Sequence, residues 1–112
     1  MTTSLAAITF DCADALATAR FWAAVLDRTM PDDASAEFVM LPGAPAFLFL
    51  PVPEPKTAKN RVHVDLGAGD REAEVERIVA LGATRLGDFD EAGFNWTTLA
   101  DPEGNEFDVV AA

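Results

Sequence analysis

Ala7-Ile-Thr-Phe-Asp-Cys12 and Arg61-Val-His-Val-Asp-Leu66 each alternate apolar with polar residues, and each runs into an aspartate, Asp14 or Asp70, ahead of a helical pattern. In the first stretch Ile8, Phe10 and Cys12 share one face, and Thr9 and Asp11 share the other. In the second, Val62, Val64 and Leu66 oppose Arg61, His63 and Asp65. A period of two is the mark of a strand with one buried face. An aspartate just past it is a natural N-cap, because its carboxylate accepts from N–H groups that the first helical turn leaves unpaired.

Working outward, residues 15–27 contain neither Gly nor Pro, and Leu16, Ala19, Ala23 and Leu26 recur at helical spacing with Phe21, Trp22 and Val25 widening the stripe. Pro31 and Asp32-Asp33 end that element. Residues 36–41 read as a strand, Pro42–Pro45 as a turn, and the apolar run 46–52 as a strand buried on both faces. Prolines 51, 53 and 55 stand at every second position, so an extended connector follows. Beyond the second strand, Val75, Ile78 and Val79 stripe a helix over 71–81, with Gly82 at its C-terminal end. Strands are expected at 84–89 and 94–100, around a turn at 90–93. A last strand at 106–110 follows the turn Asp101-Pro-Glu-Gly-Asn105.

The same order of elements therefore occurs twice. Asp14 and Asp70 lie 56 residues apart in a chain of 112. The expectation is an α+β fold of two tandem βαβββ units, about 5–52 and 61–112, joined by a connector at 53–60 within a single domain, 1–112. An unrepeated α+β domain is the plainer alternative.

Composition narrows the partners. Nineteen acidic residues against eight basic ones give a net charge of −11. That charge repels phosphate backbones and anionic membranes, so neither nucleic acid nor membrane is expected, and a cationic or neutral small ligand is left open. Met1-Thr-Thr-Ser4 lacks the basic stretch of a secretory signal, and the single Cys12 cannot form an internal disulfide, so a cytoplasmic protein is expected.

Ile8–Asp14 followed by Arg20-Phe21-Trp22, the connector Val52–Arg61 running into Val62-His63-Val64-Asp65-Leu66, and the turn Asp101–Asn105 together resemble the vicinal oxygen chelate superfamily. Within it, the chain is similar to small glyoxalase-like, bleomycin-resistance-like single-domain proteins. The resemblance implies a glyoxalase/bleomycin resistance/dioxygenase fold, in which two βαβββ units form a curved eight-stranded mixed sheet with helices on the outer face. It also implies a ligand cleft, a homodimer and, in metal-dependent members, ligands on the first and last strands of each unit. Carried over, the metal positions are His63 and Asp108 in the second unit. In the first they are Thr9 or Ala7, and Leu48 or Phe49, none of which is a usual ligand.

Two cofactor readings stay open on these residues, none at all or a weakly held divalent metal. His63 is the only histidine and stands on the polar face of its strand; it lines a ligand site or is a hydrogen-bonded structural residue. By alternation Asp11, Asp65, Glu106 and Asp108 point with His63, while Phe107 and Val109 point to the core. The candidate ligand-binding residues are His63, Asp65, Asp11, Thr9, Phe49, Trp96 and Asp108. Phe49 and Trp96 would supply an aromatic wall, or belong to the core. Lys56, Lys59 and Arg61 are read as solubilising an apolar connector, the alternative being an anchor for an anionic group. The leading function is binding of a small molecule, of cationic antibiotic type, without a complete metal site. The alternative is a metal-assisted lyase or isomerase of the glyoxalase type using His63 and Asp108.

Overall fold

The structure, a computed structural model, describes residues 2–111. The chain divides into two compact units, Met1–Pro55 and Lys56–Ala112.

The first unit holds β1 (Ala7–Cys12), α1 (Ala15–Leu26), β2 (Val39–Leu41) and β3 (Ala46–Pro51). Its sheet has the order β1-β3-β2, with β1 parallel and β2 antiparallel to β3. Asp14 caps α1 as expected, its Oδ1 accepting from the Ala17 amide at 3.0 Å. The helix stops when Asp27 turns left-handed at φ 54°. Trp22 is fully buried and meets Phe10 and Phe47 at centroid distances of 5.3 and 5.7 Å. Burying side chains of this size contributes roughly 1.5–3 kcal/mol each. In β3 only Phe47 and Phe49 are buried, so the strand is covered on one face and not on both. The strand expected over 36–41 shortens to 39–41, because the Ser35 hydroxyl accepts from the Glu37 and Phe38 amides and bends the chain there.

The second unit holds β4 (Asp65–Ala68), α2 (Arg71–Ala80), β5 (Thr84–Glu91), β6 (Phe94–Ala100) and β7 (Glu106–Ala111), with sheet order β4-β7-β6-β5. Asp70 caps α2 through the Ala73 amide at 3.1 Å. Leu81 caps its C-terminal end and Gly82 follows at C′ with φ 124°, as expected, while the helix itself ends one residue early, at Ala80. Phe107, Val109, Thr97 and Leu99 face the helix with Val75 and Ile78 and are buried. The opposite face carries Glu106, Asp108 and Thr98. Strand β5 runs on to Glu91, and only Ala92 and Gly93 make the turn, at φ 52° and 84°. Positive φ at both central residues gives a turn whose twist matches that of the strands it joins.

The described residues hold three strands in the first unit and four in the second, seven in place of the expected eight. Where the second unit has β5, the first has only an isolated bridge between Ser35 and Phe38. No helix is long and apolar enough to cross a membrane among the described residues.

Candidate functional site

The strand expected over 61–66 begins only at Asp65. Its parallel partner β7 starts at Glu106, and Asp65 pairs with Asp108, so residues 61 and 62 fall beyond the end of the ladder. The last ladder contact is the Asp108 amide donating to the Val64 carbonyl at 3.0 Å. Val62, expected in the core, is therefore 83% exposed. His63 sits in the loop just before the strand, where its ring is free to turn toward the carboxylates beside it.

His63 Nδ1 lies 2.9 Å from Asp65 Oδ1 and 3.6 Å from Asp108 Oδ2. Asp108 is held from its other side, since the Thr98 hydroxyl donates to its Oδ1 at 2.6 Å. That bond follows from register: Thr98 on β6 is the antiparallel partner of Asp108. Thr98, Asp108 and Asp65 thus form one row across three strands, and His63 closes over it.

The row borders a depression of about 460 Å³ that His63, Trp96, Phe89, Glu91 and Lys59 also line. An adjoining depression of about 420 Å³ shares His63, Trp96, Glu91 and Asp108 and adds Asp65 and Phe94. The Phe89 and Trp96 rings stack with centroids 5.5 Å apart and planes 19° from parallel. They are cross-strand partners on β5 and β6. Phe94 at the hairpin tip is 71% exposed. On the loop side, Glu106 accepts from the Asn60 amide at 3.0 Å and pairs with Lys56 at 3.3 Å. Burial pushes the Glu106 carboxyl up, but the Asn60 amide, its own amide and the Lys56 ammonium outweigh this and hold it below the usual range. Lys56 is therefore tied to the sheet, and Lys59 faces the depression instead of merely solubilising the connector.

Of the residues expected at a ligand site, the structure brings His63, Asp65, Asp108 and Trp96 together in the second unit. Thr9 and Asp11 lie exposed on β1 of the first unit. Phe49, expected as an aromatic wall, is 0% exposed and stacks on Phe10 at 5.2 Å in the first unit's core, so it cannot touch a ligand. Lining residues outside the expected set include Phe89, Glu91, Phe94 and Thr98. Their signal lies in the β5–β6 hairpin, but the expected turn at 90–93 is two residues too long and leaves out the pairing of Glu91 with Phe94.

The metal implied by the resemblance can be tested on register. Counting back from the two helix caps, Ala7 stands where His63 does, and Thr9 where Asp65 does. Thr9 pairs with Leu48, and Leu48 with Met40. The first unit's row is thus Met40–Leu48–Thr9, against Thr98–Asp108–Asp65 in the second. A four-ligand set divided between the units does not fit this chain.

The fold has many solved counterparts. A glyoxalase/bleomycin resistance protein/dioxygenase family enzyme from Burkholderia phytofirmans PsJN matches with a TM-score of 0.80 at 18% identity, covering 97% of this chain and 98% of that one. A genomically encoded fosfomycin resistance protein from Listeria monocytogenes matches at 0.79 and 16% identity, covering 100% and 95%. Lactoylglutathione lyase from Agrobacterium tumefaciens matches at 0.71 and 16% identity, covering 100% and 96%. No curated protein sequence matches the chain. The family model described as glyoxalase-like domain matches residues 7–110, and the chain belongs to that family.

Proposed function

We propose that this protein binds a small organic molecule on the open face of the second unit's sheet, and that the ligand joins a positive charge to a flat apolar body. One observation carries the reading: Asp65, Glu91 and Asp108 gather around the stacked Phe89 and Trp96 rings in adjoining depressions. Four carboxylates, Asp65, Glu91, Glu106 and Asp108, against the Lys59 ammonium and the His63 imidazole favour a cation. An ammonium over an aromatic face gains roughly 0.5–2 kcal/mol, the more so where water is excluded. The net charge of −11 draws such a ligand in from solution. A depression of about 460 Å³ suits a small molecule and not a polymer. The structural neighbours include a fosfomycin resistance protein and a lyase, so proteins of this fold serve in antibiotic resistance and in catalysis alike. Sequestration of a cationic antibiotic-type compound is the role that these features support best.

A second reading, a lyase or isomerase of the glyoxalase type, rests on the His63–Asp108 approach of 3.6 Å, which sets an imidazole beside a carboxylate. Calorimetric titration with benzyltrimethylammonium and with benzenesulfonate tests the first reading. The cation is expected to bind and the anion not, with Trp96→Ala weakening the cation. Equal or tighter binding of the sulfonate would overturn it.

A further inference from the structure

We propose that the ligand of the second unit is a zwitterion, with an aromatic body between a cationic group facing Glu91 and a carboxylate facing Lys59. The cationic end rests on the reading given above; the carboxylate goes beyond it. One depression, of about 460 Å³, is lined by the ammonium of Lys59, the carboxylate of Glu91 and the stacked Phe89 and Trp96 rings.

Register sets the two charges at opposite ends. Glu106 stands opposite Ala100 and Glu91 opposite Phe94, so these ends lie about 20 Å apart along β6 at the rise of a strand. Thr98 and Trp96 come between them, with Phe89 paired to Trp96. The connector crosses the Glu106 end. The Asn60 amide donates to Glu106 at 3.0 Å, and Lys56 pairs with the same carboxylate at 3.3 Å. Glu106 thus pins the chain on both sides of Lys59 and brings Lys59 to that end of the face.

The other charges on the face already have partners. Thr98 donates to Oδ1 of Asp108, and His63 lies 3.6 Å from its Oδ2. Asp65 stands 2.9 Å from the same imidazole, and Lys56 is taken by Glu106. Among the described residues, the side chains of Lys59 and Glu91 have neither a hydrogen bond nor an ion pair. Two unlike charges held apart in one depression complement a ligand whose own charges are held apart by a rigid body. An α-amino acid, with both charges on one carbon, is too short to reach both ends. A bare anion gains Lys59 alone and meets four carboxylates, so it stays excluded.

The test is calorimetric titration of the full chain at about 0.15 M salt, where the field of the net charge is screened beyond about 8 Å. The probes are para-(trimethylammoniomethyl)benzoate and its methyl ester, which share ring and ammonium and differ in the carboxylate charge. The zwitterion is expected to bind about two- to fivefold more tightly than the ester, the size of effect that a solvent-exposed ion pair gives. Lys59→Met should erase that preference, and Glu91→Gln should weaken both probes. Glu76→Gln, on the exposed surface of α2, should alter neither. Circular dichroism of each variant separates a lost contact from a lost fold. Three outcomes would overturn the proposal and leave the cation reading standing: equal or tighter binding of the ester by the wild type, a preference kept in folded Lys59→Met, or unaltered binding to folded Glu91→Gln. Binding of neither probe would overturn both.

Discussion

Asp65 and Asp108 are register partners on the parallel strands β4 and β7, and the same imidazole nitrogen lies within 3.6 Å of an oxygen of each. Like charges on neighbouring strands weaken a sheet unless something positive stands between them. On the proposed reading their placement serves binding at a cost in stability. Asp65→Asn should leave the unfolding free energy unchanged or raise it by up to about 1 kcal/mol, read by urea denaturation. A loss well beyond that size would mean that Asp65 serves the fold.

Thr98 lines the depression and also holds Asp108 in place. Thr98→Val keeps the shape of the side chain and removes the hydroxyl that holds Oδ1. Benzyltrimethylammonium affinity should fall severalfold, and the β5–β6–β7 sheet should keep its circular dichroism. Unaltered affinity would show that Asp108 needs no such support.

Trp96 supplies one of the two stacked rings beside the carboxylates. Trp96→Ala should weaken benzyltrimethylammonium binding by about 3–30-fold in calorimetry while the circular dichroism is kept. Unaltered affinity in the folded variant would remove the aromatic wall from the site.

Away from the site, Arg85 pairs with Glu72 at 2.9 Å and with Asp88 at 3.0 Å. The Thr97 hydroxyl, and then Arg85, hold the Asp88 carboxyl below its ordinary value, and Arg85 does the same for Glu72. A carboxyl whose folded value is lowered contributes fully above its unfolded value and loses that contribution as the pH falls through the folded one. Arg85→Ala should therefore lower the melting temperature more at about pH 7 than at about pH 3. An equal loss at both values would assign the effect to packing.

The sequence made the helices and their caps legible, because Asp14 and Asp70 are strong local signals that tertiary context did not override. The faces of β1 and β7 were also legible, since alternation survives wherever one side is covered by a helix. The start of β4 was not: where a parallel strand begins depends on where its partner begins, and Glu106 lies more than forty residues away from His63. The shortening of β2 turned on the Ser35 hydroxyl, a local contact that periodicity does not register. At the site, His63, Asp65, Asp108 and Trp96 could be named from spacing, but which of them meet is a matter of register. Phe49 shows the converse, an aromatic whose alternation suited a wall and whose helix covers it.

The central claim is that the open face of the second unit's sheet recognises an organic cation. The most direct measurement is nitrogen–proton chemical-shift mapping of the labelled protein titrated with benzyltrimethylammonium, with benzenesulfonate as the matched anion. The cation is expected to move the Trp96 indole signal and the amides of 63–65, 89–96 and 106–110 in a saturable way, and the sulfonate is not. Shifts confined to other residues, or the same shifts from both compounds, would contradict it.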